Sequence, residues 1–436
     1  MLAAMSPPAT SPPPPKPAGE SSARTRGDAC PGSLRLHAAD DGALARVRLP
    51  GGVLGAGQAD ALGELANRLG DGDIHLTSRG NAQLRALPAG CGDELAQLLG
   101  SAGLLPSARH ERVRNVVASP LSGLDGSGRP DVGPWLAGLD RLLCASERAA
   151  RLSGRFLFAL DDGRGDVDAL GADVTLLARP GGGALLRIGA AAEAVRVSGA
   201  QAARAALVAA ETFLEHARGS GSWRVSELDE DTRQALFAGV VRELGAAGLD
   251  AAPVEGPARP AEPTPPPFGV VNGSTLSVGV PLGRITAAQW TLLAHTARQH
   301  GDGTLRLTPW RGVVLPGVVQ EGLLDALGEA GLITSADSPW TGVGACIGRP
   351  GCAKSLADVQ SQAAAALGQV GALPVHWSGC ARRCGHPHGD WVDVVATPEG
   401  HQVSVVRGGH RNAPVTVPED PAALSDTVAA ARGHQS

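Results

Sequence analysis

The stretch LPGGVLGAGQADALGELANRLGDGDIHLT (49–77) returns later in the chain as VPLGRITAAQWTLLAHTARQHGDGTLRLT (280–308). The two copies align without a gap at one constant offset. Identical pairs include Pro50/Pro281, Gly52/Gly283, Gln58/Gln289, Leu62/Leu293, Ala66/Ala297, Gly70/Gly301, Asp71/Asp302, Gly72/Gly303, Leu76/Leu307 and Thr77/Thr308. Two unrelated domains with similar turns would need every one of these pairs to coincide by chance. The repeat therefore predicts an internal duplication.

Each copy has the pattern of a strand, a Pro-Gly turn, a helix, a Gly-Asp-Gly turn and a second strand. Val47 and Leu49 alternate with arginines, which is the period of a half-buried strand. Within 62–69, three leucines and an alanine fall on one helical face. A strand–helix–strand unit of this size needs a partner to cover its sheet. Two copies in one chain predict a pseudo-twofold pair and an α+β fold.

Composition divides the 436 residues further. A proline-rich stretch with few large apolar side chains cannot bury enough surface to become ordered, whereas a proline run between domains is typical of a stiff linker. The expected segments are a disordered Pro-rich tail (1–28), a first half-domain (29–105), an α/β module (106–250), a Pro-rich linker (251–267), a second half-domain (268–335) and a second α/β module (336–436).

Charge and hydropathy exclude some classes of function. The net charge of −5 gives no excess of basic residues for binding nucleic acid or an anionic membrane surface. No apolar run has the length of a membrane span, and the N-terminus lacks the basic and apolar regions of a signal peptide. We expect a cytoplasmic protein without nucleic-acid or membrane partners.

Four cysteines near the C-terminus have the spacing of metal ligands. Cys346 and Cys352 lie in CIGRPGC, Cys380 and Cys384 lie in CARRC, and 27 residues separate the pairs. Two tight thiolate loops suit a [4Fe–4S] cluster, in which each iron takes one soft anionic ligand. Structural zinc usually has two to four residues between paired cysteines, so the five-residue gap is less typical of it. Zinc and unligated thiols remain the alternatives.

Six motifs, in this order, resemble those of the sirohaem-dependent sulfite and nitrite reductase family, and within it the precorrin-3B synthases. They are ARVRLPGG (45–52), IHLTSRGNAQL (74–84), RNVVASPLSG (114–123), GRFLFALDDGRGD (154–166), ACIGRPGC (345–352) and SGCARRCGHP (378–387). The resemblance covers about residues 30 to 430. It implies two ferredoxin-like half-domains that pair, with two larger modules enclosing the active site.

The resemblance also implies site residues. In the reductases the four cysteines hold a [4Fe–4S] cluster, and the residue matching Cys384 bridges to sirohaem iron. Arginines in three motifs, Arg46, Arg79 and Arg114, match positions that bind an oxyanion or the carboxylates of a tetrapyrrole. Arg155 and Arg311 are further candidates for binding the substrate, because planar guanidinium groups bind carboxylates with two hydrogen bonds. No catalytic residue is assigned.

One departure from the reductases favours the synthases. The reductases present two lysines two residues apart, whereas this chain has Arg155 and then Leu157. The implied reaction is an O2- and NAD(P)H-dependent hydroxylation of precorrin-3A with γ-lactone formation, a monooxygenase step of aerobic cobalamin biosynthesis. The alternative is a sirohaem-dependent assimilatory sulfite or nitrite reductase. A third hypothesis is a non-catalytic electron carrier or tetrapyrrole-binding module.

The remaining expectations concern electrons and a second metal. The synthases are associated with an additional non-haem iron, for which His386, His388 and Asp390 are candidates; hydrogen bonding within their loop is the alternative role. GVLGAGQAD (52–60) lacks the third glycine of a dinucleotide fingerprint. Electrons are therefore expected from a separate donor protein or reductase.

Overall fold

The computed structural model describes residue 28 and residues 30–260, 262–387, 389–418 and 420–433. The expected N-terminal tail, apart from Asp28, and the candidate ligand His388 lie outside the described residues. Among the described residues, no helix combines the length and the apolar character needed to cross a membrane.

The first half-domain is a small sheet covered by two helices. Its elements are β1 (His37–Ala39), β2 (Gly42–Val47), β3 (Val53–Gly55), α1 (Ala56–Leu69), β4 (Ile74–Leu76), β5 (Ala82–Leu87) and α2 (Gly92–Ser101). The predicted order of strand, turn, helix, turn and strand is present. The structure adds the short β3 between the Pro-Gly turn and the helix.

Three parallel strands followed by antiparallel ones form the sheet of the first large module. Its elements are β6 (Val116–Ala118), α3 (Gly133–Ala145), β7 (Phe158–Asp161), β8 (Val174–Arg179), β9 (Gly183–Ile188), β10 (Glu193–Ser198), α4 (Ala202–His216), α5 (Glu230–Ala246) and β11 (Ala251–Glu255). Strands β6, β7 and β8 are parallel neighbours, and β8 to β11 are antiparallel.

The start of the expected linker is part of this sheet. Strand β11, at Ala251–Glu255, pairs with β10, so the segment 251–267 begins as an edge strand rather than as a free spacer. Beyond it, Arg259 donates a hydrogen bond to the Gly189 carbonyl. Proline is compatible with an edge strand, because the side facing solvent needs no backbone donor.

The second half-domain repeats the first. Its elements are β12 (Gly269–Val271), β13 (Thr275–Gly279), β14 (Arg284–Ile285), α6 (Ala287–His300), β15 (Thr304–Leu307), β16 (Gly312–Pro316) and α7 (Leu323–Glu329). The two half-domain sheets have the equivalent strand orders β1-β2-β5-β4-β14 and β12-β13-β16-β15-β3. The predicted duplication is confirmed.

The two half-domains exchange their short strands. Strand β3 of the first copy pairs with β15 of the second, and β14 of the second copy pairs with β4 of the first. Gly52 permits this approach: it has φ +70°, and a Cβ atom there would lie 1.9 Å from the Leu307 carbonyl oxygen. Each sheet is thus completed by the other copy, which joins both into one unit.

The helices of the repeat pack against each other beneath these sheets. Trp290 on α6 is 2% exposed, and its indole N–H donates a hydrogen bond to the Ala59 carbonyl on α1 at 2.7 Å. The ring lies over Gly63, where a Cβ atom would come within 2.8 Å of it. The core of the half-domains therefore extends continuously across the pseudo-twofold interface.

Trp290→Ala is expected to lower the free energy of unfolding by about 3–5 kcal/mol, because it empties the centre of this interface. Chemical denaturation would measure the change. Thr291→Ala, on the exposed face of the same helix, is the matched control and should change stability little. An equal effect of both substitutions would show that the interface does not carry the stability.

The second large module has the same sheet plan as the first. Its elements are β17 (Val343–Ala345), α8 (Val359–Ala365), β18 (Val375–Ser378), β19 (Trp391–Thr397), β20 (Gly400–Arg407), β21 (His410–Arg411), β22 (Val415–Val417) and α9 (Pro421–Arg432). Strands β17, β18 and β19 are parallel, and β20 returns antiparallel. The α+β fold with paired half-domains and two larger modules is confirmed.

Candidate functional site

The four cysteines meet at one cavity between the half-domains and the second module. The cavity has a volume of about 320 Å³. Its wall combines the first half-domain sheet, the turn before β14 and the cysteine loops. The lining residues are Arg46, His75, Leu76, Thr77, Gln83, Arg85, Leu282, Gly283, Arg311, Ala345, Cys346, Ile347, Cys352, Ser355, Gln360, Cys380, Arg382, Cys384 and Gly385.

Parallel strands bring the two cysteine pairs together. Cys346 directly follows β17, and Cys380 comes two residues after β18. The carboxyl ends of neighbouring parallel strands open at the same edge of a sheet, where ligand sites form. The Cys346 N–H also donates to the Trp377 carbonyl of β18 at 2.9 Å, which holds the first loop against the second.

The backbone around the thiols suits anionic sulfur. The Gly379 N–H donates to Cys346 Sγ at 3.2 Å, and such bonds stabilise a thiolate ligand. Burial and the nearby charges of Cys380 and Cys384 raise the pKa of the Cys346 thiol. Four thiolates in this cavity would repel each other without a cation, so the set is suited to a metal group.

The four thiols line the same cavity but are not gathered around one point. Within the described part of the chain, no group of three or more His, Cys, Asp or Glu side chains could hold one metal ion. A [4Fe–4S] cube takes each cysteine on a different iron and does not require one common point. The described cysteines are also free of disulfides. The four residues of the sequence prediction could therefore hold a cube.

His376 and Trp377 support the second cysteine loop. His376 Nε2 donates to the Cys384 carbonyl at 3.1 Å. Burial, with the charge of Arg311, lowers the pKa of His376 to about 4, so the ring is neutral at physiological pH. Trp377 is 1% exposed and belongs to the core of the module.

Two of the five predicted arginines line the cysteine cavity, and a third lies beside it. Arg46 projects from β2, and Arg311 lies in the turn between β15 and β16. Arg79 does not line the cavity, but it lies close enough for its charge, like that of Arg46, to lower the pKa of buried Arg48. The structure therefore adds Arg48 to the predicted set.

These three residues, Arg46, Arg48 and Arg79, form an arginine cluster with few negative neighbours. Arg48 is 3% exposed and donates to Cys30 Sγ at 3.2 Å, while Arg46 Nη1 is 3.8 Å from the same sulfur. Burial, with the charges of neighbouring arginines, lowers the pKa of Arg48 and of Arg79 to about 10. Such an excess of positive charge on one buried and two partly buried arginines favours an anionic ligand.

The sequence alone indicates that Arg48 lies beside Arg46, but it does not indicate that Cys30 lies there too. Residues two apart on a strand point to the same face, so Arg48 shares the face of Arg46. Cys30 comes from the chain before β1, and Asp28 anchors this segment by accepting hydrogen bonds from Ser153 Oγ and the Gly154 N–H. That contact joins segments more than 120 residues apart and has no local pattern.

Arg114 and Arg155 lie elsewhere. Arg114 donates to both Asp140 oxygens, at 2.6 and 2.9 Å, and lines a separate cavity beside α3. Arg155 is half-exposed, lies 3.6 Å from Glu227 and stacks 5.5 Å from the centre of the Trp223 ring. The structure does not bring either residue to the cysteine cavity.

The described candidates for a non-haem iron make contacts within their own region. His386 stacks on Trp391 with ring centres 5.2 Å apart, and Asp390 accepts a hydrogen bond from the Gly408 N–H at 2.8 Å. These contacts match the alternative role in loop hydrogen bonding. We assign no ligand set to a second iron.

The acidic residues of DDGRGD (161–166) form a buried turn. Asp161 accepts hydrogen bonds from four backbone N–H groups, and Ser119 Oγ donates to Asp166 at 2.6 Å. Burial and the neighbouring Asp161 raise the pKa of Asp166 to about 7. These carboxylates hold the loop after β7 in place.

Asp166 is expected to make stability depend on pH. The folded protein holds the proton of the Asp166 carboxyl more tightly than the unfolded chain does. The protonated carboxyl therefore adds to the free energy of unfolding below about pH 4, and this contribution is lost as pH rises through about 7. Between pH 5 and 8 the free energy of unfolding should therefore fall by about 2–3 kcal/mol less in Asp166→Asn than in the parent protein. Denaturation at several pH values measures this. Parallel profiles of variant and parent would contradict it.

Comparisons with known proteins agree with this architecture. The Nitrite/Sulfite reductase ferredoxin-like half domain model matches residues 37–102 and 271–330, which are the two copies of the repeat. A solved structure of the Mycobacterium tuberculosis NirA protein superposes with a TM-score of 0.70, at 19% identity, over 88% of this chain and 79% of that one. The chain therefore has the paired half-domains and the fold of the nitrite/sulfite reductase superfamily.

Within that superfamily, two curated relatives are similar over most of their length. A precorrin-3B synthase from Sinorhizobium sp is 27% identical over 407 residues, covering 90% of this chain and 85% of the relative. A ferredoxin–nitrite reductase from Synechococcus elongatus is 28% identical over 389 residues, covering 79% and 74%. The resemblance identified from the motifs is confirmed.

Proposed function

We propose that this protein is an oxidoreductase of the precorrin-3B synthase type. It would hydroxylate a meso carbon of precorrin-3A and close a γ-lactone from a ring acetate. One atom of O2 enters the substrate, and the other leaves as water with two electrons from NAD(P)H. A cytoplasmic location and a separate protein that delivers these electrons are parts of the same proposal.

The observation that carries this proposal is the match to the precorrin-3B synthase over 90% of the chain. Further support comes from Arg155 and Leu157, the two positions that match the lysine pair of the reductases. Arg155 is half-exposed against Glu227, and Leu157 is 3% exposed in a small apolar cluster. Neither position places a cation at the cysteine cavity. Reduction of a small oxyanion draws on fixed cations around it, so this arrangement favours the synthase.

The cavity and its neighbouring arginine cluster suit a flat, polycarboxylate substrate. Precorrin-3A carries acetate and propionate arms, and Arg46 and Arg79 could bind them with paired hydrogen bonds. Arg48 already donates to Asn115, Gly154 and Cys30 and would contribute its charge. Partial burial of Arg46 and Arg79 beside buried Arg48 lowers the local dielectric constant and strengthens each ion pair. When bound by the four cysteines, a [4Fe–4S] cluster supplies single electrons next to the substrate, which O2 chemistry requires.

Turnover under controlled gas tests the proposal. The purified protein with its cluster, an NAD(P)H-coupled electron donor and precorrin-3A should consume O2 and form a product heavier by one oxygen atom. With isotopically labelled O2, the label should appear in the new hydroxyl group. No product under air, with the cluster intact and an electron source present, would refute the synthase assignment.

A sirohaem-dependent nitrite or sulfite reductase is the second candidate, supported by the relative from Synechococcus elongatus. Cys384, the exposed member of the cysteine set, would then be the bridging ligand. The visible spectrum of the isolated protein separates the two candidates. Strong macrocycle bands with viologen-dependent nitrite or sulfite reduction would establish the reductase, whereas a broad cluster absorbance alone agrees with the synthase.

A further inference from the structure

Arg311 occupies a backbone position that the other copy of the repeat gives to glycine. It lies three residues after Thr308, and its counterpart after Thr77 is Gly80. Both residues adopt the left-handed conformation, with φ +58° for Arg311 and +63° for Gly80. A side chain other than glycine is disfavoured there, and such strain is commonly retained at functional positions. The side chain of Arg311 therefore calls for a functional explanation.

The guanidinium group of Arg311 lies between the two cysteine loops. A Cβ atom on Gly344, two residues before Cys346, would lie 3.6 Å from Arg311 Nη1. A Cβ atom on Gly385, directly after Cys384, would lie 3.3 Å from Nη2. Gly283 makes room for the stem, because a Cβ atom there would lie 2.6 Å from Arg311 Cδ. Three glycines thus lie next to the stem and the two terminal nitrogens of this side chain.

Among the described residues, Arg311 is also the partly buried cation of the cavity that has neither an ion pair nor a hydrogen bond. Burial alone lowers its pKa, with no hydrogen-bond or ion-pair partner raising it. The other arginines of the cavity differ. Arg85 is paired with Asp41 at 2.9 Å, Arg46 is 3.3 Å from Gln83, and Arg382 is exposed. A guanidinium group keeps its proton at neutral pH, so its charge is fixed.

We propose that Arg311 sets the reduction potential of the iron–sulfur cluster held by the four cysteines. The cluster gains one negative charge when it accepts an electron from a low-potential one-electron donor. A fixed positive charge between its ligand loops stabilises that reduced form more than the oxidised form, and so raises the midpoint potential. No bond is formed or broken and no proton moves, because Arg311 is charged in both states.

This inference rests on the proposed cluster and gives Arg311 a role different from the substrate binding expected from the resemblance. The arginine cluster of Arg46, Arg48 and Arg79 is left to bind the carboxylates. Arg311 acts on the cluster through its charge rather than by contact with the substrate, so it is a positioning residue. Its effect should appear without any substrate present.

Arg311→Gly is the sharpest variant, because the other copy of the repeat carries glycine at this position. Arg311→Asn is the second, since asparagine tolerates the left-handed conformation. Each variant should retain the cluster, measured as iron and sulfide per chain. In a mediated titration followed by electron paramagnetic resonance, the ratio of reduced to oxidised cluster at a fixed potential should fall at least about tenfold. For a one-electron couple this is a shift of about 59 mV.

Arg382→Gln is the matched control, because it removes a positive charge from the exposed rim of the same cavity. Solvent and salt screen that charge, so the potential should move much less. Equal shifts for Arg382 and Arg311, or a wild-type potential in both Arg311 variants, would overturn the inference while the proposed function stands. A parent protein that binds no cluster would instead refute the cluster assignment itself.

Discussion

Cys384→Ser is expected to remove the iron–sulfur cluster and all activity. A serine hydroxyl is a hard ligand that remains protonated at neutral pH and binds iron–sulfur clusters poorly. The same loss is expected for Cys346→Ser, Cys352→Ser and Cys380→Ser, because the four thiols line one cavity. Iron and sulfide content, together with the visible spectrum, measure the effect.

Cys144→Ser is the matched control for the cysteine series. Cys144 lies on α3 in the first module and does not line the cysteine cavity. Its substitution should leave iron content unchanged, and folding of every variant should be checked by circular dichroism. A full cluster in Cys384→Ser, or its loss in Cys144→Ser, would show that the ligand assignment is wrong.

Arg46→Ala is expected to weaken binding of a polycarboxylate tetrapyrrole by about 2–5 kcal/mol. The reason is that a substrate carboxylate would be left desolvated and without its paired hydrogen bonds. Arg46→Lys should recover only part of the affinity, because an ammonium group cannot reproduce the planar fork. The measurement is a tetrapyrrole dissociation constant by titration, with iron content confirming that the cluster is intact.

Two other arginines predicted to bind the substrate, Arg79 and Arg155, serve as comparisons for Arg46→Ala. Arg79→Ala should resemble Arg46→Ala, because both residues belong to the arginine cluster. Arg155→Ala should retain affinity, since Arg155 is half-exposed and paired outside the cysteine cavity. Unchanged affinity in both Arg46→Ala and Arg79→Ala would mean that the carboxylates bind elsewhere.

Arg114 illustrates how a motif match and a tertiary contact can differ. The motif RNVVASP placed Arg114 with the substrate-binding arginines, but in the structure both oxygens of Asp140 accept hydrogen bonds from it. Arg114→Ala would leave the Asp140 carboxylate without its partner, at a side-chain exposure of only 26%. We therefore expect lower stability from this change rather than weaker tetrapyrrole binding.

Local patterns in the sequence were sufficient to predict the duplication, which the structure confirms, and to propose the cysteine ligand set. The repeat preserves turn glycines and helix-face leucines at one offset, and these residues specify the same local conformation wherever they occur. The spacing of the four cysteines likewise predicts a ligand set, because paired thiols in short loops are close by covalent geometry alone.

Only the tertiary structure decided which copy of the repeat completes which sheet. Strands β3 and β14 are two or three residues long, and both pair with the opposite copy. Nothing in so short a segment distinguishes its own sheet from that of the other copy, because the alternatives satisfy the same backbone hydrogen bonds.

The tertiary structure also decided which arginines share a site. Arg46, Arg48 and Arg79 gather around Cys30, whereas Arg311 lies between the cysteine loops and Arg114 binds Asp140. The sequence determined that these guanidinium groups are present and always charged. Their partners depend on segments up to hundreds of residues away, and the packing of two half-domains against two modules, rather than any local pattern, brings those segments together.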